Sequence, residues 1–137
     1  MSLTCEEARR VVDAALAAGA ERDCPVSVCV LDAGRALLAF ARADEATLAS
    51  VEIAQNKAFT ARSLNMSTAE LGPLTAPGGP FRGIETTDAR PLVPFAGGLP
   101  IRRDGAVVGA VGVSGGSLEQ DEAIATAALA ALAGAEA

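Results

Sequence analysis

The stretch that most restricts the fold of this chain is residues 75–100, where proline and glycine are concentrated. It holds five of the seven prolines and five of the fourteen glycines, so its backbone cannot continue as a helix. Loops of this length are uncommon in compact domains and are usually binding loops or disordered linkers. Large apolar residues favour an ordered loop, because a solvated linker seldom carries such anchors: Phe81, Ile84, Leu92 and Phe95. We interpret the segment as a wall that closes over a ligand site; the alternative is a structural loop that covers one end of a sheet.

The 137 residues are enough for a single domain, residues 1–137, with a core of its own. Half of the residues are apolar, yet the only aromatic residues are four phenylalanines, so the core must consist mainly of Ala, Val, Leu and Ile. The formal net charge of −6 argues against nucleic acid and anionic membranes as partners. No apolar run approaches the roughly 18 residues of a transmembrane helix.

The histidine and cysteine content limits the catalytic and metal-binding chemistry open to this chain. The chain has no histidine, which removes the commonest general base and the commonest metal and haem ligand. Its three cysteines are an odd number at no metal-binding spacing. They predict reduced thiols, a cytoplasmic location and no metal site.

Capping boxes mark the starts of three helices. The first predicts an amphipathic helix from about Cys5 to about Glu21, and the second predicts only a short helical turn before Gly72. Apolar spacing predicts a further helix from Leu48 to Asn65. The three boxes are Thr4 with Glu7, Ser67 with Glu70, and Ser117 with Gln120.

Turn residues between apolar runs predict two hairpins. One joins residues 25–31 to 36–41, and the other joins residues 99–103 to 106–113 through Asp104-Gly105. Gly109 and Gly112 are unusual inside a strand and indicate that a helix or a ligand approaches the backbone there. The element order is helix, two strands, helix, loop, three strands, helix. It predicts an α+β domain with a mainly antiparallel sheet, whose first and last helices are neighbours.

Lys57 lies among apolar neighbours in the second predicted helix. Ile53, Ala54 and Ala61 surround it at helical spacing. Lysines in such places usually extend to water; the alternative is an amine that faces a ligand. The sequence leaves both open.

Five motifs together resemble the GlcG/HbpS family, span nearly the whole chain and follow the family order. They are Pro-Val-Ser-Val-Cys-Val-Leu-Asp-Ala-Gly-Arg35, Ile-Ala-Gln-Asn-Lys-Ala-Phe-Thr-Ala61, Pro-Gly-Gly-Pro-Phe-Arg-Gly-Ile84, Leu-Val-Pro-Phe-Ala-Gly-Gly-Leu-Pro-Ile101, and Val-Gly-Ala-Val-Gly-Val-Ser-Gly-Gly-Ser117 followed by Glu119-Gln-Asp121. The resemblance implies a profilin-like fold, a five-stranded antiparallel sheet packed with helices. It also implies homo-oligomers, from a dimer up to an octamer.

The resemblance further implies small-molecule binding. Some relatives bind or are reported to degrade haem, and others are fused to cobalamin adenosyltransferases. Relatives often carry a histidine at the position of Glu122, so haem is possible here only without a histidine ligand. The remaining candidate iron ligands are Cys5, Met66, Lys57 or a hydroxyl group.

Transferring the family motif residue by residue gives twelve matching positions: Lys57, Pro77, Gly78, Gly79, Gly83, Gly97, Gly98, Ser114, Gly115, Gly116, Glu119 and Asp121. The side-chain chemistry of a subset of these, together with neighbouring residues of the loop, gives a candidate site. Lys57 and Glu85 are its candidate catalytic residues, and Arg82 could clamp a carboxylate. The turn at Gly115 could cradle an anion at a helix N-terminus, although the acidic first turn there favours simple dipole capping. The candidate ligand-binding residues are Lys57, Pro77, Gly78, Gly79, Phe81, Arg82, Thr86, Thr87, Gly115 and Gly116.

Three hypotheses for function remain open. The first is a small-ligand-binding protein whose pocket, roofed by residues 75–100, holds a small organic acid or a tetrapyrrole. The second is an enzyme acting on a small carbonyl or hydroxy-acid substrate, with Lys57 or Glu85 as acid or base. The third is a structural or accessory subunit, in which the loop buries itself against a partner chain.

Overall fold

The chain folds as a five-stranded antiparallel sheet with helices on both faces. A computed structural model describes residues 2–137. The strand order is β2-β1-β4-β3-β5, which confirms the predicted α+β class. The helices are α1 (Cys5–Glu21), α2 (Leu48–Leu64), α3 (Thr68–Thr75) and α4 (Leu118–Leu129), and the strands are β1 (Ser27–Asp32), β2 (Leu37–Arg42), β3 (Gly98–Arg103), β4 (Ala106–Ser114) and β5 (Ala135–Glu136).

All three predicted capping boxes form. At α1, the Thr4 hydroxyl accepts from the Glu7 amide at 3.1 Å, and the Glu7 carboxylate accepts from the Thr4 amide at 3.0 Å. The same reciprocal bonds open α3 and α4. The prediction of only a short turn before Gly72 was wrong, because α3 runs through Pro73 to Thr75. In so short a helix, Pro73 removes one hydrogen bond near the end and does not break a long ladder.

The sheet separates two apolar clusters. Side chains such as Val28 and Val111 face α1 and α4, whereas Cys29 and Ala110, one residue along each strand, face α2. This alternation follows from the two-residue period of a strand. The contact between α1 and α4 confirms that the first and last helices are neighbours.

The position of the fifth strand was predicted wrongly. Only two strands lie between the loop and α4, and the fifth, Ala135–Glu136, follows α4 and pairs with Arg102 and Arg103 of β3. Two residues are too few for a strand period to show in the sequence.

Glycines let α2 lie directly on the sheet. A Cβ at Gly112 would overlap the carbonyl oxygen of Ala54, and one at Gly98 would lie 2.6 Å from the carbonyl oxygen of Lys57. The predicted close approach of a helix is therefore confirmed at Gly112. At Gly109 the close neighbour is instead the Leu31 carbonyl of the adjacent strand. The contacts of α2 with Gly98 and Gly112 bring the helix, and with it Lys57, against β3 and β4.

The proline- and glycine-rich loop is ordered and anchored. Its backbone bonds run from the Phe81 amide to the Leu74 carbonyl at 2.8 Å and from the Leu92 amide to the Glu85 carbonyl at 2.9 Å. A single 3₁₀ turn, Ile84–Thr86, interrupts it. Leu92 is buried, whereas Phe81 at the tip is exposed. Among residues 2–137, no helix combines the length and apolar character needed to cross a bilayer.

Candidate functional site

Lys57, the only lysine in the chain, is buried in an ion pair. Its side chain is 1% exposed, and Nζ donates to Asp121 Oδ2 at 3.0 Å and to the Val113 carbonyl at 2.8 Å. The side chain therefore crosses from α2, on one face of the sheet, to α4, on the other. The interpretation that Lys57 extends to water was wrong, because the chain supplies a buried carboxylate.

Asp121 completes the connection at the start of α4. Its Oδ1 accepts from the Gly116 amide at 2.9 Å. The turn before α4 thus does hold an anion, and that anion is the protein's own carboxylate. Each carboxylate oxygen of Asp121 has a partner, which is what a buried charge requires.

The Lys57 ammonium is enclosed by protein atoms. Burial lowers the pKa of Lys57 below its usual value, and the Asp121 carboxylate partly opposes that effect. The Phe95 ring lies over the ammonium, with its centroid 5.3 Å from Nζ. Lys57 consequently ties together α2, the end of β4 and α4, and it does not project into open space.

The largest of the four main concavities lies along α4, beside Ala69 of α3 and Arg22 at the end of α1. It has a volume of about 700 Å³ and is mostly apolar. Glu122 at its wall accepts from the Gly97 amide at 3.1 Å, and Arg22 donates to the Ala18 carbonyl at 2.9 Å. The lining residues are Arg22, Ala69, Ala96, Leu118, Glu119, Glu122, Ala123, Thr126 and Ala127.

The residues proposed from sequence lie elsewhere. None of the candidate catalytic or ligand-binding residues lines any of the four main concavities of the described chain, and of residues 75–100 only Ala96 lines the largest one. Lys57 and Gly116 are brought together through Asp121. No hydrogen bond or ion pair within residues 2–137 joins Lys57 to Glu85 or Arg82. Of the site residues proposed from sequence, the exposed ones are Pro77, Gly78, Phe81, Arg82, Thr86, Thr87 and Gly115.

The candidate haem ligands are also dispersed. Cys5 lines a separate concavity of about 460 Å³ beside Arg9 and Phe40. Met66 packs against the apolar cluster beneath α2. Neither residue, nor Lys57, lines the large concavity on α4.

Glu122 of that concavity was singled out in the sequence in connection with haem ligation, whereas Leu118 and Thr126, on the same face of α4, were missed. Leu118, Glu122 and Thr126 recur every fourth residue and so share one face of α4. The sequence signal was Leu118, a large apolar residue in the otherwise polar and acidic first turn of α4. In the structure its side chain is 48% exposed. Arg22 carried no signal, since it reaches the concavity from the end of α1.

Known proteins match this chain over nearly its whole length. The family model described as "Haem degrading protein HbpS-like" matches residues 3–130. An uncharacterised 15.0 kDa protein from the dhaT–dhaS intergenic region of Citrobacter freundii is 39% identical over 128 residues, which are 93% of this chain and 90% of that protein. The crystal structure of a PduOC–haem complex aligns with a TM-score of 0.93 and 34% identity, covering 97% of this chain and 96% of that one.

A longer relative matches over only part of its length. The corrinoid adenosyltransferase PduO of Citrobacter freundii is 36% identical over 132 residues. These are 96% of this chain but 39% of PduO. The chain therefore spans about two fifths of the length of that relative.

Proposed function

This chain belongs to the HbpS-like family of haem-degrading proteins, and we propose that it is a binding protein for a small ligand of the tetrapyrrole class, held against α4. The observation that carries the proposal is the apolar concavity of about 700 Å³ at Leu118 and Glu122. A volume of this size lies within the range of about 300–1,000 Å³ that is usual for small-molecule sites. The related PduOC structure is that of a haem complex.

The lining suits the ring of such a ligand. Leu118, Ala123 and Ala127 form a wall of apolar side chains along α4, and small residues leave room for a flat molecule. Arg22 is the cation of this lining and would pair with a carboxylate on the ligand. Glu119 and Glu122 oppose a second negative charge nearby.

The lining does not suit an imidazole-ligated iron. The chain has no histidine, and no cysteine or methionine among residues 2–137 lines this concavity. The oxygen donors present are Glu122 and Glu119 carboxylates and the Thr126 hydroxyl. We therefore expect the porphyrin ring, and not a bond to iron, to provide most of the affinity. We propose binding and not turnover because Lys57 and Glu85 both lie outside the concavity.

Titration with hemin and with iron-free protoporphyrin IX tests this proposal. We expect saturable changes in the Soret band with both, because the ring and not the iron provides most of the affinity. The two dissociation constants should lie within about threefold of each other, a difference of about 0.7 kcal/mol or less. Ala123→Trp fills the concavity and should weaken both at least about tenfold. Ala17→Trp, on the exposed side of α1, is the matched control and should bind like the unaltered protein.

Two other outcomes of the porphyrin titrations would contradict the proposal. If hemin binds and protoporphyrin IX does not, iron ligation by a side chain governs binding, and the packing argument is wrong. If neither binds, or if Ala123→Trp binds as well as Ala17→Trp, the proposed site on α4 is refuted. Native mass spectrometry of the same samples gives the stoichiometry and the oligomeric state. A homo-oligomer is also part of the proposal, since Leu37 and Leu48 leave apolar surface exposed away from the concavity.

A further inference from the structure

A second concavity, small and polar, lies between the β1–β2 hairpin and the C-terminal end of α2. Its volume is about 230 Å³, and it is separate from the α4 concavity. Two arginines share this small space, although the whole chain carries a net charge of −6. The lining residues are Ala33, Gly34, Arg35, Arg62, Ser63 and Asp88.

Arg35 is held in place by three different partners. Its NH1 donates to Ser63 Oγ at 3.0 Å and to Asp88 Oδ2 at 3.0 Å, and its guanidinium carbon lies 4.3 Å from the centroid of the Phe59 ring. The backbone at Arg35 is left-handed, with φ of 67°. A non-glycine residue in that region costs about 1 kcal/mol. The hairpin thus carries an oriented guanidinium where glycine would be the easier residue.

Both arginines keep unused donors. The two side-chain hydrogen bonds of Arg35 come from NH1, which leaves Nε and NH2 without partners among residues 2–137. Arg62 uses Nε for the Ala33 carbonyl at 2.5 Å and NH1 for Asn65 Oδ1 at 2.6 Å, which leaves its NH2. The adjacent free Nε and NH2 of Arg35 match the geometry of carboxylate and phosphate oxygens, and the Arg62 NH2 adds a further donor.

Asp88 already shows that an anion fits this site. It lies on the loop of residues 75–100, and its carboxylate rests on Arg35. The pair is partly exposed, with 38% of the Arg35 side chain and 31% of the Asp88 side chain accessible. An exposed pair contributes about 0–1 kcal/mol, so a competing anion can replace Asp88 at little cost.

We propose that this concavity is a binding site for a small oxyanion of the carboxylate or phosphate type, which Arg35 and Arg62 hold in exchange for Asp88. The site is independent of ligand binding at α4, because the two concavities share no lining residue. Asp88 acts as a tethered competitor and weakens binding of the free anion. Its release frees the loop segment around residue 88 from the hairpin.

Isothermal titration with inorganic phosphate and with succinate, at one ionic strength, tests the proposal. Asp88→Asn should tighten binding of at least one anion about fivefold or more relative to the unaltered protein, since it removes the competitor. Asp13→Asn, an exposed site on α1, makes the same change in net charge and should stay within about twofold. A preference for phosphate or for succinate identifies which source of oxyanion the site accepts.

Arg35→Gly and Arg62→Gln test the two cations. Arg35→Gly suits the left-handed backbone, so the hairpin should fold, and circular dichroism checks this. In the Asp88→Asn background each should weaken binding at least about tenfold. The proposal is overturned if Asp88→Asn binds neither anion saturably, if it binds more weakly than the unaltered protein, or if binding survives Arg35→Gly. In those cases Arg35 serves only to fasten the loop.

Discussion

Two of the ion pairs that join distant parts of this chain differ in almost every physical respect. Lys57 and Asp121 are 1% and 3% exposed at their side chains, whereas Arg35 and Asp88 are 38% and 31% exposed. The buried pair has further partners on both sides, in the Val113 carbonyl and the Gly116 amide. The exposed pair keeps unused guanidinium donors. The first is suited to holding layers together, and the second to exchanging one anion for another.

The difference in burial gives the two ion pairs different roles, one in holding the fold together and one in ligand recognition. A buried ammonium that must stay paired cannot give up its carboxylate to a ligand without a large penalty. An exposed guanidinium loses little when one oxyanion replaces another. The single lysine, which chemistry alone marks as the obvious site residue, is therefore the less suitable of the two.

The largest effect is expected from breaking the buried pair. Lys57→Met leaves Asp121 as a buried carboxylate without its counter-charge, and Asp121→Asn leaves the ammonium without its own. Each should lower the free energy of unfolding by about 3–5 kcal/mol. Urea denaturation followed by far-ultraviolet circular dichroism measures this, and soluble yield and midpoint temperature give a second reading where the variant is only partly folded.

The double variant Lys57→Met with Asp121→Leu distinguishes charge burial from lost packing. With both charges removed, we expect it to recover most of the stability that either single variant loses. Arg82→Met, which alters an exposed cation on the loop tip, is the control and should change stability by about 0.5 kcal/mol or less. A loss below about 1 kcal/mol in Lys57→Met would show that water reaches the pair, and the contrast with Arg35 would fail.

An intermediate case lies at Glu7 and Arg103, whose side chains are 19% and 11% exposed. Hydrogen bonds from Arg103, and then from the Thr4 amide, hold the pKa of Glu7 below its usual value of 4.5. Because the folded-state pKa is the lower one, this stabilisation is present above pH 4.5 and is lost as the pH falls through the folded value.

Glu7→Gln tests that dependence, since glutamine keeps the capping box and removes the charge. We expect a loss of about 1–2 kcal/mol near neutral pH that shrinks towards zero once Glu7 itself is protonated. Urea titrations of both proteins across the acid range measure it. A loss of constant size at every pH would assign the effect to helix capping alone.

Local sequence signals were sufficient for much of the fold. Reciprocal capping fixed the start of α1 at Cys5, and Gly112 correctly indicated the close approach of α2. These features depend on residues a few positions apart or on one missing Cβ. The fifth strand at Ala135 has only two residues and therefore no period to detect.

The candidate site was harder to predict because its contacts are non-local. Lys57 and Asp121 are 64 residues apart, and nothing in the chain between them specifies that they pair. The α4 concavity combines Arg22 from the end of α1, Ala96 from the loop and Leu118 from α4. Only the tertiary arrangement brings these three together.

The smallest effect is expected at the exposed pair, and it completes the comparison. Asp88→Asn removes one carboxylate from a guanidinium that keeps Ser63 and the Phe59 ring as partners. We expect the free energy of unfolding to change by about 0.5 kcal/mol or less, and this small change to diminish further at high salt, because exposed charges are screened. Thermal unfolding at low and high salt measures both. A loss above about 2 kcal/mol, or one that salt does not reduce, would mean that Asp88 is a fixed part of the fold. The exchange of Asp88 for a free oxyanion would then be too costly to occur.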